Sequence, residues 1–541
     1  MQKLPLGISS FETIRTDDYK YIDKTRYIYN LTKTGIYYFL SRPRRFGKSL
    51  LVSTLCELFK GKKELFEGLW IYNSDYKWKE HPVVVIDFNS IPHETPERLN
   101  ENIIYSLNTI AEANAINLSA PSHGAMFKEL IVKLKGKYNS KIVVLIDEYD
   151  KPIISHLGKG PEALEIAKQN RDFLKSFYGI LKDNEVSASL KFVFITGVSK
   201  FSKVSIFSEL NNLTDLSMLD DYSALLGYTQ EELESRFEEH IAEFAKHLKL
   251  SRAEALAELK NWYNGYMFSK NGTPVYNPFS ILNALNNKDL LNYWFESGTP
   301  AFLINLIKQN EYSVTDLESL ELTESAFTTY DIDDLKIEAL LFQTGYLTIT
   351  GVRGETKKVY NLTYPNNEVR SSFTEHLLIS MSAVKDRAKI SKIAFLPDFL
   401  NKQDYNNFFE TIKSIYAAIP YQIMPQKPAE NYFHTAFYLM LASSGADVRL
   451  EEPTNHGRID MTVEFKDKVF IIEFKCGQSA EAAIAQIKEK KYYEKYICSG
   501  AESAAPALTP PRAPRKIILI GVDFDTAEKN VREWKVMDFA V

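Results

Sequence analysis

The most constraining feature of this chain is a short apolar strand that runs into a basic loop and then a helix. Ile36–Leu40 is followed by Arg42-Pro43-Arg44-Arg45-Phe46-Gly47-Lys48-Ser49 and by an apolar-periodic stretch over Leu50–Phe59. A loop that cradles phosphates needs inward-facing backbone N–H groups, a lysine for the outer phosphates and a hydroxyl to hold Mg²⁺. Gly47, Lys48 and Ser49 supply the last part of that pattern, although Arg42 stands where the usual motif begins with glycine. By itself the tripeptide also fits a helix start that happens to carry a lysine.

A second element favours the phosphate reading. Ile142-Val143-Val144-Leu145-Ile146 runs straight into Asp147-Glu148. A buried strand ending in an acidic pair is the arrangement in which one carboxylate holds Mg²⁺ through water and the next orients the attacking water. The competing reading, a strand ending at a solvated acidic turn, loses ground because Phe192–Thr196 follows, with a hydroxyl placed to sense a γ-phosphate. Together with Val83–Phe88 these runs give four strands. Helical stretches around Leu50–Phe59, Asn102–Asn114, Ala125–Lys135 and Ala163–Lys182 lie between them, so an α/β fold with a parallel sheet is expected.

From about Asp220 to Asn310 the pattern becomes helical and charged, punctuated by Trp262-Tyr263-Asn264-Gly265-Tyr266 and Tyr276-Asn277-Pro278. Between about Ala326 and Phe373 a helix precedes the strands Gly345–Ile349 and Val359–Leu362, a winged-helix-like pattern. At 541 residues the chain exceeds one core, and three segments are expected: an ATPase over 1–220, a helical lid with a winged-helix-like region over 221–400, and a last domain over 401–541. The net charge of −5 gives no global signature for nucleic acid, so any such surface is local. Cys56, Cys476 and Cys498 suit neither a disulfide framework nor a zinc site. No apolar run approaches the roughly 18 residues of a membrane span, and the N-terminus lacks signal-peptide character. A cytoplasmic protein without membrane contact is the expectation.

The last domain carries a second constellation, Gly457-Arg458-Ile459-Asp460 and then Phe470-Ile471-Ile472-Glu473-Phe474-Lys475. Metal-assisted phosphodiester cleavage needs two or three carboxylates around the ion and a cation near the attacking water. Strand alternation puts Glu473 and Lys475 on one face with Phe474 opposite. Met461–Phe465 and Val469–Phe474 read as a hairpin with its turn near Lys466-Asp467; an even loop sets Asp460 across from Glu473, and an odd one turns Asp460 to the opposite face unless a bulge corrects it. Glu430, opening the helix-like run Tyr432–Ala442, would add a third carboxylate. Gln486, on a helix over Glu481–Tyr496, would touch the metal water or the nucleic-acid backbone. Ala501–Arg515, rich in Ala and Pro, reads as a surface loop.

Other residues have bland readings beside sharp ones. His434 is a metal ligand or a packed histidine, and His456 a phosphate contact or a loop histidine. The Trp262–Tyr266 aromatics stack bases or form core. Lys488, Lys490, Lys491 and Lys495 track a phosphate backbone or form a solvated face. Asp23-Lys24 contributes a nucleotide contact or a structural ion pair.

Tyr21-Ile22-Asp23-Lys24-Thr25, RPRRFGKS, LIDEYDKPI and ITGVSKFSKVSIFSELNNLTDLS, in that order, resemble the bacterial AAA-ATPase-like family. Its members share this form of the loop and pair the ATPase with a C-terminal PD-(D/E)XK domain, to which GRID, IIEFK and the flanking helices are similar. The resemblance covers about Leu4–Leu219 and Glu430–Trp534. It implies ATP with Mg²⁺ at Lys48, Ser49 and Asp147, with Glu148 as the catalytic carboxylate; Phe46, Gly47 and Thr196 are further expected nucleotide contacts, and Arg44 and Arg45 bind phosphates or a neighbouring subunit. It also implies a restriction-endonuclease-like domain whose Asp460 and Glu473 hold Mg²⁺ or Mn²⁺ beside Lys475, Glu430 and Gln486. The function expected is an ATP-regulated nuclease acting on DNA or RNA, with a homo-oligomer or a protein partner through the middle region left open. The alternative is a signalling or assembly NTPase whose last domain binds nucleic acid or a protein without cutting.

Overall fold

The structure is a computed structural model. It describes residues 1–200, 210, 212–296, 301–309, 312, 314–327, 332–382, 391–419, 430–497 and 515–539. The chain divides into two compact units, one of Met1–Ile307 and Ser319–Glu368 and the other of Lys308–Glu318 and Val369–Val541. Residues 201–209, the Pro-bearing run around 420–429 and the Ala/Pro-rich insert up to 514 fall outside the described residues.

In the first unit, β1 (Tyr37–Ser41), β2 (Val83–Asp87), β3 (Ile142–Asp147), β4 (Leu190–Gly197) and β5 (Thr214–Asp215) form a sheet of order β2-β3-β4-β1-β5. Every pairing in it is parallel. β1 and β3 are buried along their whole length, as their unbroken apolar sequences require of strands covered on both faces. β4 lies between them, so the loops leaving β1 and β3 open at the same sheet edge, where ligands of such sheets bind.

The helices start where their caps dictate. Thr95 caps Pro96–Ala113 and Ser122 caps His123–Tyr138, each side chain accepting a backbone N–H of the first turn. Capping boxes at Thr229/Glu232 and Ser251/Glu254 start two helices of the following region. Leu233, Phe237, Ile241, Phe244, Leu259, Tyr263 and Ile281 form a core there. Tyr263 and Tyr266 are fully buried, which assigns those aromatics to packing. The helix Ile337–Thr344 ends at Gly345 in the left-handed region and leads into β7 (Thr348–Arg353) and β8 (Val359–Thr363). A short strand, β6 (Leu320–Thr323), joins them in the order β6-β8-β7.

The second unit holds β9 (Asp447–Thr454), β10 (Gly457–Glu464), β11 (Lys468–Cys476), β12 (Lys516–Asp525) and β13 (Asn530–Phe539), in the order β13-β12-β11-β10-β9. β11 and β12 are parallel and the other pairs antiparallel. The helix Ala480–Glu489 makes the crossover that a parallel pair requires. The expected single helix over Glu481–Tyr496 is broken: Lys490 caps it, Lys491 takes a left-handed backbone (φ 49°), and a separate turn, Glu494–Ile497, follows.

Candidate functional site

In the first unit the loop between β1 and the helix Lys48–Phe59 opens onto a cleft of about 450 Å³. Arg44, Arg45, Gly47, Lys48, Ser49 and Glu148 are among the residues that line it. Gly47 is left-handed (φ 94°) immediately before the helix, a conformation that suits glycine. Lys48 is buried, and its ammonium donates to the Arg42 and Pro43 carbonyls at 3.1 and 3.2 Å. It also pairs with Glu148 at 3.2 Å. The helix N-terminus, the lysine and the open loop form a cradle for an anion.

Asp147 ends β3, buried, with the Ser49 hydroxyl beside it. Burial, reinforced by the charges of Glu148 and Asp87, pushes it up to about 6. The Glu148 N–H donates to Asp147 Oδ1 at 3.0 Å, and Glu148 itself is left-handed (φ 51°). Ser49 and Asp147 are a hydroxyl and a carboxylate side by side, the donor set a magnesium ion takes beside a nucleotide. The structure thus gathers Lys48, Ser49, Asp147 and Glu148.

The other expected residues of this site take different places. Arg45 lines the cleft, its guanidinium 4.4 Å from the centre of the Phe279 ring. The Arg44 carbonyl accepts the Trp294 indole N–H at 3.0 Å. Phe46 is 1% exposed and packs edge-on against Tyr266 and Phe268, so its side chain anchors the loop. Thr196 is fully buried, and its hydroxyl donates to the Leu40 carbonyl at 2.8 Å, tying β4 to β1. Lys24 bonds both oxygens of Glu232, while Asp23 accepts from Thr25 and Trp70, which settles that pair as structural. Arg42 is 1% exposed, donates to the Ser41, Ser217 and Tyr222 carbonyls, and stacks on Phe268 at 4.2 Å. Where a glycine usually stands, this arginine staples the loop to the chain beyond β5.

In the second unit the hairpin turn is Lys466-Asp467, closed by Phe465 N–H to Lys468 O at 2.8 Å. The register runs from Glu464↔Val469 to Met461↔Ile472. One step further the Asp460 carboxylate takes the Phe474 N–H at 2.9 Å. Asp460 and Glu473 therefore face each other across the hairpin, near enough for each charge to act on the other. Lys475 Nζ lies 3.2 Å from Glu473 Oε1 and 3.0 Å from the Phe474 carbonyl, and Gln486 Nε2 also donates to Glu473 Oε1. Glu473 is 1% exposed, and burial with the Asp460 charge beside it pushes its carboxyl up to about 8.

Glu473 Oε2 is buried and has no hydrogen-bond partner among the described residues. A divalent cation between Glu473 and Asp460 would satisfy that oxygen and offset the repulsion, so the donor set fits such an ion. Among the described residues no three His, Cys, Asp or Glu side chains gather as a metal site. Glu430 does open the helix Glu430–Ser443, but its side chain lies outside the described residues.

His434 packs against the Phe474 ring at 4.5 Å, and His456 is exposed. Lys491 and Lys495 pair with Glu494 and Glu452. Sequence reasoning missed Tyr492. This residue is 3% exposed, and its hydroxyl lies beside Gln486, within reach of the charges of Glu473 and Asp460. The break at Lys491 turns Tyr492 inward, and only that break could have signalled it.

Two family models and one relative match the chain. A family model described as a predicted AAA-ATPase matches residues 5–207, and one for the PD-(D/E)XK nuclease superfamily matches residues 428–534. An "Uncharacterized protein in vnfD 5'region" of Azotobacter chroococcum mcd 1 is 37% identical over 538 residues, covering 98% of each chain. Among the described residues no helix is long and apolar enough to cross a membrane.

Proposed function

The chain belongs to the family that joins a predicted AAA-ATPase to a PD-(D/E)XK nuclease superfamily domain, and from that premise we propose that it is an ATP-regulated, metal-dependent nuclease. In this reading residues 1–220 bind and hydrolyse ATP, 221–400 provide the lid, and 401–541 cut DNA or RNA in the cytoplasm. The observation that carries the nuclease half is the buried, unpartnered Oε2 of Glu473 beside Asp460. Asp460 and Glu473 would hold Mg²⁺ or Mn²⁺, which supplies Lewis acidity and an activated water. Lys475, already beside Glu473, places its charge by the scissile phosphate. In the ATPase half, Lys48 engages the outer phosphates, Ser49 and Asp147 would hold Mg²⁺, and Glu148 orients the attacking water.

A second reading has its own observation. Glu473 Oε1 already accepts from both Lys475 and Gln486, as in a domain kept for binding nucleic acid, with its charges satisfied internally. The deciding experiment incubates the full chain with mixed DNA and RNA substrates, with and without ATP and Mn²⁺. Metal-dependent product supports the nuclease. Retention of the substrate without cleavage supports the binding module.

A further inference from the structure

The first unit contains a fully buried carboxylate that the proposed chemistry leaves unused. Asp150, two residues beyond Glu148, is 0% exposed. Its Oδ2 accepts from Val198 N at 3.1 Å, Ser199 N at 2.6 Å and Ser199 Oγ at 2.7 Å. The neighbouring residue reinforces the seam: Tyr149 N donates to Thr196 O at 3.0 Å, and the Tyr149 hydroxyl donates to Ser199 O at 2.9 Å. Gly197 sits where the two segments meet. A Cβ there would come within 2.5 Å of Asp150 Oδ1 and 2.6 Å of the Tyr149 ring. Only glycine allows this approach.

These contacts fix both ends of a two-residue step. On one side Asp147 ends β3 with the Ser49 hydroxyl against it, and on the other Asp150 is bonded to the end of β4. Between them Glu148 holds a left-handed backbone (φ 51°) with its carboxylate 3.2 Å from Lys48. A non-glycine residue keeps such a conformation when the surrounding structure over-determines it. All three groups around Asp150 Oδ2 are donors, so the position calls for an acceptor-only side chain, which a carboxylate is and an amide is not.

We propose that Asp150 is the positioning residue of the ATPase centre, holding the Glu148 carboxylate at the mouth of the loop by bonding the end of β4. This rests on the reading of the first unit as an ATPase. Asp150 acts through Glu148, so its loss lowers turnover without weakening nucleotide binding. It also has no further effect once the Glu148 carboxylate is gone.

The test uses the full chain and measures ATP turnover and affinity for a fluorescent ATP analogue in wild type, Asp150→Asn, Ser199→Ala, Glu148→Gln and the combinations with Glu148→Gln. A displaced reacting group costs on the order of 10²-fold, so Asp150→Asn is expected to lower kcat about 30-fold and Ser199→Ala about 3-fold, with analogue affinity within about 3-fold of wild type. Adding either substitution to Glu148→Gln changes the residual rate by less than about 2-fold if both act on one step. If Asp150→Asn does not fold, Ser199→Ala and its combination with Glu148→Gln make the same comparison. Unchanged kcat in the single variants, or losses that multiply in the combinations, overturns the positioning role alone. A wild type that binds the analogue without turning over ATP overturns the ATPase reading and this role with it.

Discussion

The Lys48 ammonium and the Glu148 carboxylate form an ion pair, 3.2 Å from Nζ to Oε1, with Lys48 3% exposed. Lys48 also donates to two loop carbonyls, so the cation is held at the mouth of the loop by three acceptors. In the proposed ATPase, incoming phosphate oxygens would compete with Glu148 for this lysine and so release the carboxylate toward the attacking water.

Opposite consequences follow for the two partners. Lys48→Ala should weaken ATP binding at least about tenfold, since a buried charge-assisted contact is worth about 1.5–3 kcal/mol. Glu148→Gln should bind ATP as tightly as wild type or tighter, because the competitor for Lys48 is gone. Its turnover should drop about 10²-fold or more, the usual contribution of a positioned base. Calorimetric binding beside a phosphate-release assay separates the two effects. Equal turnover in wild type and Glu148→Gln would remove Glu148 from the chemistry.

The strands that carry the sites were readable because they are buried on both faces: Ile142–Ile146 and Val469–Ile472 are unbroken apolar runs, and both lie in strands. The hairpin was readable, although its register hung on the loop length, which the two-residue turn Lys466-Asp467 sets. The edge strands were not. β9 carries Arg449, Glu451, Glu452 and Pro453, and β13 carries Arg532, Glu533, Lys535 and Asp538. An edge strand is half solvated and often charged, so its sequence resembles a loop. β6 escaped notice because it has only four residues. The hydroxyl of Thr196 and the ring of Phe46 show a further limit: the chain order places them near the phosphate loop, but only tertiary packing shows that both are occupied in holding it.

Glu368 gives the first unit a pH dependence. It is 0% exposed, accepts the Trp294 N–H and the Ser280 hydroxyl at 2.7 Å each, and burial pushes it up from 4.5 to about 8. With the folded value raised, the native state holds a proton that the unfolded chain has released between about pH 4.5 and 8. Stability from this group is full at the low end of that window and declines as pH rises through it. Glu368→Gln removes the decline, and Ser280 can turn its hydroxyl to accept from the amide. The melting temperature of the variant should match wild type near pH 5 and exceed it by a few degrees near pH 8.5, about the size a change of 1–2 kcal/mol produces in a large domain. A constant difference across that range would contradict the assignment.

Tyr492 should support the nuclease centre through Gln486. Its hydroxyl lies beside Gln486, which donates to Glu473 Oε1. Tyr492→Phe removes that polar neighbour and keeps the ring in its core cluster, so cleavage should slow about 3- to 10-fold, the equivalent of roughly 1 kcal/mol. Metal affinity should stay within experimental error, because neither proposed ligand changes. Cleavage at the wild-type rate would leave the hydroxyl with only a packing role.

The Asp460–Glu473 pair makes the sharpest prediction for the second unit, because the burial that pushes Glu473 up is relieved by a cation. Mn²⁺ or Mg²⁺ should raise the melting temperature of that unit, and chelation should reverse the rise, since a ligand bound only by the folded state stabilises it. Asp460→Ala should abolish both the metal-induced shift and cleavage. Lys475→Ala should abolish cleavage while preserving the shift, because the ammonium pairs with Glu473 without itself being a ligand. The shift should be at least as large in that variant, as the lysine no longer occupies Glu473 Oε1. ATP turnover measured without nucleic acid should be unchanged in both, because the phosphate loop and its acidic partners belong to the other unit. Loss of the metal shift in Lys475→Ala, or its survival in Asp460→Ala, would show that the ion binds elsewhere.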